Sequence, residues 1–78
     1  LLLNKYTVYS RKNCSYCYRA VSLLEAKNIP FEIKKLDEDI NLYTEMQMKA
    51  PSMKTLPVIL KDDKLVGGYK ELLESLET

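Results

Sequence analysis

Between Lys5 and Leu24 the spacing of apolar side chains changes period, and that change restricts the folds open to the chain. The run "KYTVY", Lys5 to Tyr9, is β-branched and aromatic and reads as a strand. From Cys17 onward, Cys17, Ala20, Val21 and Leu24 recur at i, i+3, i+4 and i+7, one face of an amphipathic helix. "KNIP" ends that helix, with Asn28 as the C-cap and Pro30 unable to continue the turn. "FEIKKL" places Phe31 and Ile33 on one face of a second strand. Asp37 or Asp39 can cap a second helix whose inner face holds Ile40, Tyr43, Met46 or Gln47, and Ala50, and Pro51 stops it. Val58 to Leu60 and Lys64 to Val66 form two short strands around an Asp62-Asp63 turn, a β-hairpin pattern. Tyr69, Leu72, Leu73 and Leu76 mark a last helix. The order is β-α-β-α-β-β-α. Two strands joined by a helix pair in parallel through a right-handed crossover, and the hairpin strands pair antiparallel. The expected architecture is α/β: a four-stranded mixed sheet carrying three helices, on both of its faces.

The chain has 78 residues, so a single domain over residues 1–78 is expected, with no room for a second core. Twelve Lys and Arg against eleven Asp and Glu leave a net charge of +1, which argues against a nucleic-acid binder with its basic face. No apolar run approaches the ~20 residues of a membrane span. The opening "LLLNK" is too short for a signal-peptide core, so a reducing cytoplasm is the expected compartment, where permanent structural disulfides are uncommon. Leu rather than Met stands first, which leaves the true start open. Histidine is absent, which removes imidazole chemistry.

Both cysteines lie in "SRKNCSYCYRA". Cys14 falls where the first strand gives way to the first helix, so its sulfur meets unpaired backbone N–H groups and the positive end of a helix dipole. Both favour thiolate, and Arg11 and Lys12 add positive charge. Cys17 is one turn further on, within disulfide reach, and belongs to the apolar face of the helix. The two sulfurs therefore have unequal roles: Cys14 attacks, and Cys17 resolves the mixed disulfide that forms. A pair of inert buried thiols is the plainer reading, but a strand-to-helix turn in a β-α-β setting favours redox work. A closed zinc site needs four ligands, and two cysteines without histidine do not supply them, so no metal is expected.

With "CSYC" at Cys14 to Cys17, "TLP" at Thr55 to Pro57 and "GG" at Gly67 and Gly68, the chain resembles the glutaredoxins, small thiol-disulfide oxidoreductases of the thioredoxin-like fold. The likeness spans almost the whole chain. The family usually shows Cys-Pro-Tyr-Cys, with Cys-Ser-Tyr-Cys also found. The resemblance implies glutathione as co-substrate, no required metal, protein disulfides and protein-glutathione mixed disulfides as substrates, and a monomer. It implies a cis Pro57 facing Cys14, although on sequence alone Pro57 reads as an ordinary trans proline opening an edge strand. Leu56 would then pair its main chain with an incoming cysteinyl backbone, like an added strand, next to Thr55. Gly68 and Tyr69 would offer N–H groups to the γ-glutamyl carboxylate. Arg11 would meet the glycyl carboxylate, and Tyr16 would line the groove. The remaining tyrosines, Tyr6, Tyr9, Tyr18 and Tyr43, read as packing or surface residues, and Lys34, Lys35 and Lys61 as solvated charges.

One departure stands out. After the glycines many family members carry Cys followed by Asp or Ser, whereas Tyr69 and Lys70 stand here. Lys70 accepts no hydrogen bond, though it can attract a carboxylate. Lys70 and the short chain keep one further reading open, and the Ser15 that follows the first Cys keeps another. One is a glutaredoxin-like hydrogen donor to ribonucleotide reductase, fed by a thioredoxin reductase. The other is a carrier in which two protomers and two glutathiones hold a [2Fe–2S] cluster.

Overall fold

The computed structural model describes residues 5–77. Leu1 to Asn4 and Thr78, and with them the ends of the expected domain, lie outside the described residues. The elements follow the expected order: β1 (Tyr6–Ser10), α1 (Ser15–Ala26), β2 (Phe31–Lys35), α2 (Ile40–Lys49), β3 (Val58–Lys61), β4 (Lys64–Gly67) and α3 (Tyr69–Leu76). The strands assemble as β2-β1-β3-β4, with β1 and β2 parallel and the other pairs antiparallel.

β1 and β3 are central, and each sends side chains to both faces. Tyr6 and Val8 of β1 join Ile59 of β3 in a cluster with Ala20 and Leu24 of α1 and Leu72 of α3. Tyr9 of β1 joins Val58 and Leu60 of β3 in a second cluster with Met46 and Ala50. This is the period-two alternation of strands. It puts α1 and α3 on one face and α2 on the other, the expected two-sided cover. β2 and β4 are edges, which explains why Ile33 and Leu65 stay 39% and 40% exposed.

Local chemistry fixes where α1 ends. Asn28 adopts φ 57°, the left-handed region that asparagine tolerates. Its N–H donates to the Glu25 carbonyl at 3.1 Å, and the Ile29 N–H donates to the Leu24 carbonyl at 3.0 Å. That is a Schellman motif, with Lys27 as C-cap and Asn28 one residue beyond it, a shift of one from the expected position. Asp39, not Asp37, caps α2, its carboxylate accepting from the Asn41 N–H at 2.9 Å. The turn between β3 and β4 places both Asp62 and Asp63 at positive φ.

Two expectations need correction. The inner face of α2 does not run from Ile40: Ile40 is 81% exposed, Tyr43 and Gln47 are also exposed, and only Met46 and Ala50 are buried. The apolar period overran the contact, because only the C-terminal half of α2 rests on the sheet. Lys34 is not a solvated charge. It reaches Glu45 of α2 at 2.6 Å, and its ammonium lies 5.7 Å from the ring centre of Tyr9, whose hydroxyl donates to the same carboxylate. This clasp supplies polar contacts between α2 and the sheet where apolar ones are few.

The clasp has a pH signature. The hydrogen bond from Lys34, then that from Tyr9, holds the Glu45 carboxyl below its ordinary value of 4.5. A lowered acid contributes stability above its unfolded value and loses it as pH falls through the folded one. The bond to Glu45 raises Lys34 above 10.5, and burial, then Glu45, raises Tyr9 above 10.0. Raised groups contribute below their unfolded values and lose that contribution at higher pH. The clasp should therefore stabilise the protein between roughly pH 5 and 10 and weaken on either side. Tyr9→Phe should cost about 1–2 kcal/mol at neutral pH by urea unfolding, since one hydrogen bond to a charged acceptor is lost. Glu45→Gln should flatten the acid limb of the stability profile. An unchanged acid limb in Glu45→Gln would show that the clasp is not what titrates there.

Candidate active site

The site forms where β1 ends and α1 begins. Asn13 turns the chain at φ 58°, and Cys14 follows as the N-cap of α1 in extended backbone. Its Sγ accepts a hydrogen bond from the Cys17 N–H at 3.2 Å, the bond that a serine or aspartate oxygen makes in an ordinary N-cap. Cys14 and Cys17 are joined by a disulfide, their Cα atoms 5.2 Å apart. Cys14 is half-buried, and Cys17, on the buried face of α1, is 3% exposed. The sulfur nearer the surface is thus Cys14.

Besides a hollow of about 290 Å³ behind the turn, lined by Arg11, Lys12 and Cys17, two hollows meet at the Thr55-Leu56 segment. The larger, about 540 Å³, is lined by Cys14, Arg11, Thr55 and Leu56 together with residues of α2 and the loop after it. The smaller, about 260 Å³, is lined by Tyr16, Thr55, Leu56, Pro57, Gly68 and Tyr69, with Lys70 and Glu71 at its end. Every site residue named from the sequence falls on one or both hollows except Cys17, which lies behind Cys14 in the disulfide. Of these two, Arg11 lies on the larger only and Tyr16 on the smaller only. Thr55 and Leu56 belong to both and form the ridge between them. The Leu56-Pro57 bond is cis, as the resemblance implied.

The wall of the smaller hollow is aromatic. The Tyr16 and Tyr69 rings lie 5.8 Å apart at 40°, and the Arg19 guanidinium sits 5.1 Å from the Tyr16 ring centre. The Gly68 corner differs from the sequence expectation. Its N–H is already engaged by the Glu71 carboxylate at 2.8 Å, half of a capping box at the start of α3. The pattern Gly68-Tyr-Lys-Glu71 carried that signal, an N-cap residue followed three later by glutamate. Arg19, Met53 and Lys54 were likewise not named from the sequence, and Tyr43 read only as a packing or surface residue. Nothing in one-dimensional spacing shows that α2 and the Pro51 loop face Cys14.

The glutaredoxin family model matches residues 6–66 of the chain. Glutaredoxin 3 of Escherichia coli K12 is 32% identical over 65 residues, covering 83% of this chain and 77% of that protein. The crystal structure of glutaredoxin 1 from Francisella tularensis superposes with a TM-score of 0.76 at 29% identity, covering 94% of this chain and 92% of that one. A dithiolic glutaredoxin of Trypanosoma brucei brucei gives 0.75 at 31% identity, over 95% and 77% of the two chains.

The paired glycines are not equivalent. Gly67 sits at φ 130°, and a Cβ there would come within 2.8 Å of Glu71 Cβ and Cγ. Gly68 has an ordinary φ of −95°, and a Cβ would meet only the flexible Glu71 Oε1 at 3.4 Å and the Pro57 carbonyl at 3.6 Å. Gly67→Ala should cost about 2 kcal/mol or more in urea unfolding, whereas Gly68→Ala should stay within about 1 kcal/mol. Equal losses would contradict this assignment of the two positions.

Proposed function

The chain belongs to the glutaredoxin family and is a thiol-disulfide oxidoreductase, and on that premise we propose that glutathione is its electron donor and that Cys14 is the sulfur that reacts with both donor and substrate. The observation that carries this reading is the Cys14 cap: a half-buried sulfur at a helix N-terminus, hydrogen-bonded by the Cys17 N–H, beside the Thr55-Leu56 ridge. In the reduced protein that N–H and the helix dipole favour the Cys14 thiolate. A thiolate there attacks one sulfur of a substrate disulfide, forms a mixed disulfide and expels the other sulfur as thiolate. The Cys17 thiolate then attacks Cys14 Sγ, closes the Cys14–Cys17 bond and releases the second substrate thiolate. Two glutathione thiols reopen that bond, the first displacing Cys17 from Cys14 and the second displacing Cys14 to give glutathione disulfide. Electrons and sulfurs balance over the cycle.

Glutathione in this reading lies across the ridge. Its cysteinyl backbone pairs with Leu56 beside Thr55 and Pro57, its glycyl carboxylate faces Arg11, and its γ-glutamyl end lies in the hollow walled by Tyr16 and Tyr69. Glu71 already occupies the Gly68 N–H, so a γ-glutamyl carboxylate at that corner would meet the N–H groups of Tyr69 and Lys70 instead. The reading includes a monomer working in a reducing cytoplasm. Among protein disulfides, that of ribonucleotide reductase is the one the resemblance names.

Cys14→Ser should abolish all turnover. Cys17→Ser should lose reduction of protein disulfides yet keep removal of glutathione from a mixed disulfide, a step that needs one thiolate. Equal loss of deglutathionylation in both variants would reverse the assignment. In a coupled assay with NADPH, glutathione and glutathione reductase should support the wild type. Turnover only with thioredoxin reductase would overturn glutathione as donor.

A further inference from the structure

We propose that the hollow of about 290 Å³ behind the Cys14 turn is a binding site for a small aromatic zwitterion with a polar tip, of which a free tyrosine-like amino acid is the simplest form. It shares only Arg11 with the larger hollow and no residue with the smaller one, so it is separate from the Thr55-Leu56 ridge. The inference does not depend on which sulfur attacks or on what reduces the disulfide.

The first observation is an unused hydroxyl. Ser10 ends β1 and is 7% exposed, yet its hydroxyl has no hydrogen-bond partner among the described residues. Its carbonyl, by contrast, accepts from the Leu36 N–H at 2.8 Å. Among the described residues, no polar side-chain atom that is fully closed off lacks a partner, so the Ser10 hydroxyl reaches open space, and the hollow it lines supplies that space. Strand alternation agrees, since Ser10 shares the face of Tyr6 and Val8, under α1. A nearly buried hydroxyl without a partner is costly, and a polar group on a ligand would satisfy it.

The second observation is position. β1 leads to α1 on one face of the sheet, and β2 leads to α2 on the other. Neighbouring parallel strands whose connections part in this way leave a crevice beyond their C-terminal ends, the usual place for ligands in open α/β sheets. Ser10 and Lys35, the last residues of β1 and β2, both line the hollow.

Walls and mouth define the occupant. Val21, Ile33 and Tyr18 line the hollow, and Ile33 is 39% and Tyr18 65% exposed, so an occupant covers apolar surface that now meets water. Lys12 and Lys35 stand at the mouth with Asp37 and Glu38, all four exposed and none in an ion pair among the described residues. Two cations beside two carboxylates suit a head group that carries both charges better than an anion or a cation alone. The volume admits one aromatic side chain and is small for a tripeptide such as glutathione. A phenol reaching Ser10, with its ring along Val21 and Ile33 and its head at the mouth, uses all of these groups.

The test is an NMR titration of the ¹⁵N-labelled full chain in its disulfide form, up to the solubility of tyrosine. The probes are L-tyrosine, L-phenylalanine, tyramine, which lacks the carboxylate, and 3-(4-hydroxyphenyl)propionate, which lacks the ammonium. L-tyrosine should shift the amides of Ser10, Val21 and Ile33. L-phenylalanine should bind about fivefold more weakly, for want of one hydrogen bond, and the two single-charge probes about threefold more weakly. Ser10→Ala should bring L-tyrosine down to the affinity of L-phenylalanine and leave L-phenylalanine unchanged, which also shows that the variant is folded. Lys12→Gln combined with Lys35→Gln should remove the advantage of L-tyrosine over tyramine. Equal binding of L-tyrosine and L-phenylalanine to the wild type, or a difference that survives Ser10→Ala, would overturn the site. Shifts confined to Cys14, Thr55 and Leu56 would do so by placing the probes in another hollow. No shift with any probe would leave the Ser10 hydroxyl to water alone and would also overturn the proposal.

Discussion

Strand β1 has no face turned to water. Tyr6, Val8 and Tyr9 are all buried, the first two against α1 and α3 and the third against α2. The remaining elements are arranged around that constraint. A strand buried on both sides must be central, so it pairs with β2 on one edge and β3 on the other. Its C-terminal end then opens between two helical layers, and the chain leaves it through the Asn13 turn directly into Cys14. The position of the sulfur follows from the burial of the strand that delivers it.

All three helices begin at that end of the sheet, and the N-termini of α1 and α3 are capped differently. α1 is capped by sulfur, so the group that satisfies an orphan N–H is also one of the two disulfide sulfurs. A neutral sulfur accepts weakly. A thiolate accepts a charge-assisted bond, so the cap strengthens when the disulfide opens. α3 is capped by its own Glu71, reached through the close turn that Gly67 permits. The Gly68 N–H is thus engaged within α3, while the cap of α1 is a sulfur of the disulfide.

Much of this was legible in the sequence. The period switch before Leu24, the proline stops and the Asp62-Asp63 turn gave the element order, because each depends on neighbours within a few residues. The Cys14-Cys17 spacing and its strand-to-helix setting gave the place of the disulfide turn for the same reason. What sequence missed was set by tertiary contact. Ile40 continues the apolar period of α2 yet faces outward, since the helix touches the sheet only near Met46 and Ala50. Lys34 looks like any strand-edge lysine until Glu45 arrives from a helix eleven residues later. Lys54 comes beside Cys14 only once the sheet has closed.

The partial seating of α2 links these failures to function. A helix packed along its full length would press Ile40 and Tyr43 onto the sheet and fill the space beside Cys14. Instead Met46 and Ala50 anchor one end, and the carboxylate of Glu45 is tied to Tyr9 and Lys34 through hydrogen bonds. Those bonds are directional, so they fix the distance of the helix from the sheet without requiring apolar surface under its first turns. The hollow lined by Tyr43, Met46 and Met53 is the space left between a helix held by polar contacts and a sheet it only half covers. In a chain of 78 residues, where apolar area is scarce, leaving that surface unpacked lowers stability. The clasp offsets part of that loss, and the same arrangement keeps the hollow beside Cys14 open.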